Sequence, residues 1–147
     1  MATYKGTNKT IADAPSPATI ISKGEVGGNV RVMFDTYVVP TAPLATTTDV
    51  IEMCGEIPTG AKVLEVTVYN GCGTRAISVG DYEDTTRYNA SVATTATERI
   101  DTAGVAIGYE VDMTTAATPD NQIIITPIAG ALTAAEVISI VVLYVAE

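Results

Sequence analysis

LTAAEVISIVVLYVA, residues 132–146, decides the fold class. From Val137 to Ala146 it is nearly unbroken Val, Ile, Leu and Tyr, side chains that fit a pleated surface. Read with period two, Ile138, Ile140, Val142 and Tyr144 share one face; Val137, Ser139, Val141, Leu143 and Val145 share the other. A half-exposed strand would carry polar residues on one side. Two apolar faces predict a central strand covered by a second sheet on one side and by something further, such as another subunit, on the other. Ala131–Val137 alone has the Ala, Leu and Glu of a helix start, but the β-branched run behind it argues against continuation.

Segments upstream repeat the strand pattern. In Asn29–Val39 the residues Val30, Val32, Phe34, Thr36 and Val38 alternate with Arg31, Met33, Asp35 and Tyr37, and the first set is expected inside. Asp49–Cys54 reads as a short strand, followed by a turn at Glu56–Gly60. Ala61–Asn70 is amphipathic, with Leu64, Val66 and Val68 on one side and Glu65 and Thr67 on the other. Asn70-Gly71-Cys72-Gly73 predicts a hairpin, because Asn-Gly accepts positive φ, with Arg75–Val79 returning as the partner and Ile77 and Val79 inward. Gly80–Asn89 reads as a polar acidic loop, Tyr88–Ala93 as a brief strand and Thr94–Asp101 as a loop. Val105–Asp112 alternates again, Thr114–Asn121 is a loop, and Gln122–Thr126 is a compact strand apolar on both faces. Thr19–Lys23 is a further short strand candidate before the turn glycines Gly24, Gly27 and Gly28. Met1–Pro17, small and polar with Pro15 and Pro17, reads as an extended N-terminal arm, and residues 18–147 as a single domain.

Eight or nine short strands with regular turn signals and no long helix predict an all-β, antiparallel two-sheet β-sandwich, of jelly-roll type. At 147 residues the chain is long enough for one real core. With a single Phe and no Trp, that core must be Val, Ile, Leu, Met and Ala. Thr, at roughly one residue in six, adds to the strand preference.

Charge and composition exclude several function classes. The net charge of −9 and the scarcity of Lys and Arg argue against a nucleic-acid partner. Met1–Thr10 is polar with no apolar run behind it, so no signal peptide is expected and synthesis is placed in the cytoplasm. The C-terminal apolar run is too short to span a bilayer as a helix, so no membrane partner is expected. Without histidine there is no His-based triad, His metal site or His general base. No phosphate-binding or dinucleotide fingerprint occurs, and Gly71-Cys72-Gly73 lacks the basic partner a nucleophile needs. No catalytic, cofactor-binding or metal residues are therefore assigned, and the chain is expected not to be an enzyme.

Two polar features invite a closer reading. Cys54 and Cys72 make no disulfide framework; each reads as a small apolar residue, and a bridge would require close Cα atoms. Asp81, Glu83 and Asp84 could gather oxygens around calcium but do not match an EF-hand loop, so a solvated loop is expected, with Arg87 making a weak surface pair. Tyr82 and Tyr88 could stack on a sugar, although tyrosines in such segments are ordinary packing residues.

A resemblance adds to this reading. The opening MATYKGTNKT, then GGNVRVMFDTY (27–37), IEMCGEIPTGAKVLEVTV (51–68) and VGDYEDTTRY (79–88) form an order similar to that of small virion structural proteins of tailed bacteriophages. Their M-A-x-Y-K-G-like arm, R-V-like stretch, P-x-G-A-x-V turn and G-D-x-x-x-x-x-R-Y-like stretch match Met1–Gly6, Gly28–Tyr37, Pro58–Val63 and Gly80–Tyr88. The resemblance covers most of the chain. It implies a capsid decoration or cement protein on a β-sandwich scaffold, located on the virion and bound to the major capsid protein. It also implies a homo-oligomer, with a trimer favoured, and offers no catalytic residues to carry over. The alternative is a head-fibre, tail or receptor-binding module. As a carbohydrate binder it would need converging exposed aromatic residues, against which an aromatic content of 5% counts.

Overall fold

Nine strands, all paired antiparallel, form two sheets in the computed structural model, which describes residues 29–42, 44–73, 75–101, 109–112 and 120–146. They are β1 (Asn29–Val38), β2 (Ile51–Met53), β3 (Lys62–Asn70), β4 (Ile77–Gly80), β5 (Asn89–Val92), β6 (Ala96–Asp101), β7 (Tyr109–Glu110), β8 (Ile123–Pro127) and β9 (Val137–Ala146). One sheet has the order β1-β9-β3-β6, with β7 paired to the start of β3; the other has the order β2-β8-β4-β5. Counting β6 and β7 as one edge of β3, the pairs β1–β9, β2–β8, β3–β6/β7 and β4–β5 are nested, as in one long hairpin. Rolling that hairpin up adds β9–β3 and β8–β4 and makes a jelly roll, the architecture expected from the sequence.

The core lies between the sheets. β9 supplies Ile138, Ile140, Val142 and Tyr144, all buried. Against them stand Ile123 and Ile125 of β8, Ile77 and Val79 of β4, and Met53 of β2. Each such side chain contributes roughly 1.5–3 kcal/mol on burial, and the largely aliphatic interior is completed by Tyr88 and Tyr144. β9 is central in its sheet, between β1 and β3.

Several local expectations are corrected. The first concerns β1, where Val30, Val32, Phe34, Thr36 and Val38 point outward and Met33 and Tyr37 pack on the core. The register sets this phase. Phe34 lies opposite Val141 and Val32 opposite Leu143, and directly opposed residues share a face. Since Ile138, Ile140 and Val142 take the inner face of β9, the outer one is left to Val32 and Phe34. Asp35, on the inner side, is satisfied by the Cys54 N–H at 2.8 Å.

The second is the bulge at Leu64. The pairing with β9 slips by one residue between Val63 and Glu65. Val63, Val66 and Val68 are therefore buried, whereas Leu64 is only half-buried.

The third is the expected hairpin after β3. β3 and β4 lie in different sheets and do not pair, so the chain crosses between the sheets after Asn70. Asn70, fully buried, turns the corner with its side chain. Its amide donates to the carbonyls of Arg75, Val92 and Ala93, and its oxygen accepts from Cys72 N at 3.0 Å. Gly71 is needed for close approach rather than for positive φ: its N–H donates to Val137 O at 2.9 Å, and a Cβ there would sit 2.4 Å from that oxygen.

Thr94–Asp101, expected as a loop, instead contributes β6 along Glu65–Asn70 of β3. Its adjacent charges Glu98 and Arg99 suggested a loop, but an edge strand accepts charge. Residues 131–136 make a turn and not a helix, with Ala135 at φ 68°. The arm Met1–Pro17 and the strand candidate Thr19–Lys23 lie outside the described residues, as do residues 105–108 of the Val105–Asp112 segment and 114–119 of the Thr114–Asn121 loop. Among the described residues no helix is long and apolar enough to cross a membrane.

Candidate interaction face

The outer surface of the β1-β9-β3 sheet carries the exposed apolar side chains that the core does not use. Phe34 is 81% exposed, Val32 58%, Val30 and Val38 57%, and Val141 of β9 37%. These residues are neighbours by register: Val30 faces Val145, Val32 faces Leu143, Phe34 faces Val141 and Val38 faces Val137. One polar rung interrupts them, the Thr36 and Ser139 hydroxyls at 3.1 Å. The face becomes more polar toward β3, where Thr67 Oγ1 donates to Glu65 at 2.9 Å, although Tyr69 is also exposed there. The result is an apolar strip on the sheet's β1 side, bounded by a polar zone, of the kind that marks association surfaces. β9 has one face in the core; on its other face Val141 is exposed, Val137 and Leu143 are half-buried and Val145 is buried, and β1 extends that face. Sequence reading missed Val30, Val32, Phe34 and Val38 here because β1 has apolar residues in both phases.

Where the β1 end meets β2, a groove of about 390 Å³ is lined by Tyr37, Leu44, Ala45, Val50 and Ile51, with Asp49 and Glu52 beside them. Thr46 donates to Asp49 through its hydroxyl and its N–H, both at 2.8 Å, and holds that carboxyl below its usual range. Glu52 accepts from the Tyr82 hydroxyl at 2.6 Å, which raises the Tyr82 phenol above its ordinary value.

The acidic loop between β4 and β5 is exposed at Glu83–Thr86, as expected, with one exception. Asp81 is fully buried. Its Oδ1 accepts the N–H groups of Glu83 at 2.9 Å and Asp84 at 2.8 Å, and its Oδ2 accepts from Arg87 Nε. Glu83 takes a second hydrogen bond from Arg87, and Asp84 accepts from Thr86 N and Oγ1. The three carboxylates thus turn to protein donors instead of a shared centre. Burial raises the Asp81 carboxyl above its usual range despite the opposing pull of Arg87 and the N–H donors. Arg87 lies 4.2 Å from the centre of the Tyr109 ring, and the Tyr109 hydroxyl donates to the buried Asp120 at 2.6 Å. The loop is thereby pinned to β7. The glycine of the motif has a physical cause as well, since a Cβ on Gly80 would sit 2.1 Å from Asp84 O.

Tyr88 is buried, Tyr82 is engaged by Glu52 and Tyr109 lies under Arg87.

Cys54 is half-buried, Cys72 is buried, and the two are not bridged. Burial, with Asp35 nearby, pushes the Cys54 thiol up to about 11; burial, with Glu136 nearby, pushes the Cys72 thiol up to about 12. The thiolate is the reactive form, so at pH 8 about one part in a thousand or less is available at either position. Native protein should therefore react slowly with a thiol reagent such as DTNB, and two thiols per chain should appear quickly once guanidinium unfolds it. Rapid labelling of the native state would contradict the burial described.

No protein-family model matches the chain, and no curated protein matches it. A solved chain of the cyanophage Pam1 capsid asymmetric unit is similar in fold, with a TM-score of 0.62 and 24% sequence identity over 92% of this chain and 96% of that one.

Proposed function

We propose that this chain is a structural virion protein that decorates and cements the head of a tailed bacteriophage. The observation that carries the reading is the exposed apolar strip of β1 and β9, displayed on a jelly roll that matches, over nearly its whole length, a chain of a cyanophage capsid asymmetric unit. Such a strip gives a rigid body something to adhere with. In this reading it meets the major capsid protein or another copy of the chain, and the assembled form is a homo-oligomer, with a trimer favoured. The acidic surface keeps the protein soluble and slows non-specific association. The role is binding without chemistry: the sequence lacks histidine, and the acidic loop spends its carboxylates on its own fold. A head-fibre or carbohydrate-binding role is less well supported, because Tyr82, Tyr88 and Tyr109 are each engaged elsewhere.

Electron microscopy and mass spectrometry of purified virions test the proposal. The expected result is density for this jelly roll on the outside of the head, in a fixed ratio to the major capsid protein. Heads lacking it should release DNA at a lower temperature. Absence from heads, or presence in tails alone, would overturn it. Light scattering on the purified protein tests the oligomer, and a strict monomer at high micromolar concentration would remove that part.

A further inference from the structure

Charge is divided unevenly along the chain. Residues 1–28 carry Lys5, Lys9 and Lys23 against Asp13 and Glu25, a net +1. With the whole chain at −9, residues 29–147 stand at −10. Two such bodies brought together through an apolar strip repel one another, and a basic segment that crosses between them offsets the repulsion. The groove at the β1–β2 end has the complementary character. Leu44 and Val50 supply apolar walls, Tyr37 an aromatic one, and Asp49 and Glu52 place two carboxylates beside them. Near the chain start, Tyr4-Lys5 offers an aromatic ring next to an ammonium group, with Lys9 following. Reach is sufficient: 28 extended residues span roughly 90–100 Å, against a radius of gyration of about 14 Å for a body of this size.

We propose that the Met1–Lys9 segment of one copy docks in the Tyr37–Glu52 groove of a second copy, with Tyr4 against the apolar walls and Lys5 or Lys9 paired to Asp49 and Glu52. This rests on the reading of the chain as a self-associating virion protein and adds the element that ties one copy to the next.

The test uses the full-length protein. Natural-abundance and ¹⁵N-labelled preparations are mixed, equilibrated and treated with a zero-length carbodiimide, and the cross-linked peptides are identified by mass spectrometry. The expected product is an amide between Lys5 or Lys9 and Asp49 or Glu52, with half its population of mixed isotope composition. Asp49→Asn with Glu52→Gln removes the linkable carboxylates, so seating is read separately from Lys5→Glu with Lys9→Glu. That variant should weaken self-association by about tenfold, and Asp49→Lys with Glu52→Lys in the same chain should restore it. Cross-links of single isotope composition, which place the segment on its own body, overturn the inference. So do cross-links to other carboxylates in equal yield, or none at all. Failure here in a protein that is found on heads sinks the docking alone. A mixed cross-link in a protein absent from heads sinks the virion reading and leaves the docking.

Discussion

Val32→Asp combined with Phe34→Asp should abolish self-association and head binding while the jelly roll stays folded. Both side chains stand on the outer face, 58% and 81% exposed, and neither belongs to the core. Their loss costs the isolated body little, with lowered strand preference contributing at most about 1 kcal/mol each. In an interface, each buried side chain of this size contributes roughly 1.5–3 kcal/mol, and a carboxylate in its place must be desolvated as well. The combined loss exceeds about 3 kcal/mol, or more than about a hundredfold in dissociation constant. Sedimentation and rebinding to stripped heads read the effect, with far-UV circular dichroism as the folding control. A folded double variant that associates and binds as before would remove the β1–β9 strip from the mechanism.

Arg87→Ala carries the largest expected effect on stability. It leaves the fully buried Asp81 carboxylate without its cationic partner and takes the guanidinium away from Tyr109. Breaking a buried pair on one side costs about 3–5 kcal/mol, which in a chain of this size lowers the melting temperature by on the order of 10 °C. The deficit should depend on pH. Burial already raises the Asp81 carboxyl, and Arg87 opposes that rise, so removing Arg87 raises it further. A carboxyl with a folded pKa above its unfolded one favours the fold when protonated. Its linked stability is fully present below the ordinary Asp range and is lost as pH rises through the raised value. The gap between variant and wild type should therefore narrow as pH falls from about 7 toward about 4, near the ordinary Asp value. Melting scans across that range test this; a gap that does not change with pH would count against a buried, ionised Asp81.

The architecture was legible because β9 is apolar in both phases and has only one physical use, at the middle of a sheet. The same property hid the interaction face. Where both phases of β1 carry Val, Met, Phe or Tyr, composition cannot choose between them, and the choice is made by pairing with β9 across the sheet. The corner at Asn70 was misread for a related reason. Asn-Gly is a turn signal, but here the Asn side chain binds carbonyls that belong to residues 75, 92 and 93, which no local pattern reveals. The burial of Asp81 was hidden by its neighbours: Glu83, Asp84, Thr85 and Thr86 are exposed, and the segment reads as polar from its average.

The nested pairing has a consequence for when the adhesive strip comes into being. β1 and β9 lie near opposite ends of the folded segment, and the Thr36–Ser139 contact joins residues 103 apart in sequence. Closing a loop of that length is entropically costly and follows the shorter-range pairing of β4 with β5. On a ribosome, β1 waits as an unpaired apolar strand until residue 146 has been made. During that interval the nascent chain has the raw material for sticking but no flat surface to stick with. A chain cut short before β9 never acquires one, so the outer apolar face exists only on completed copies.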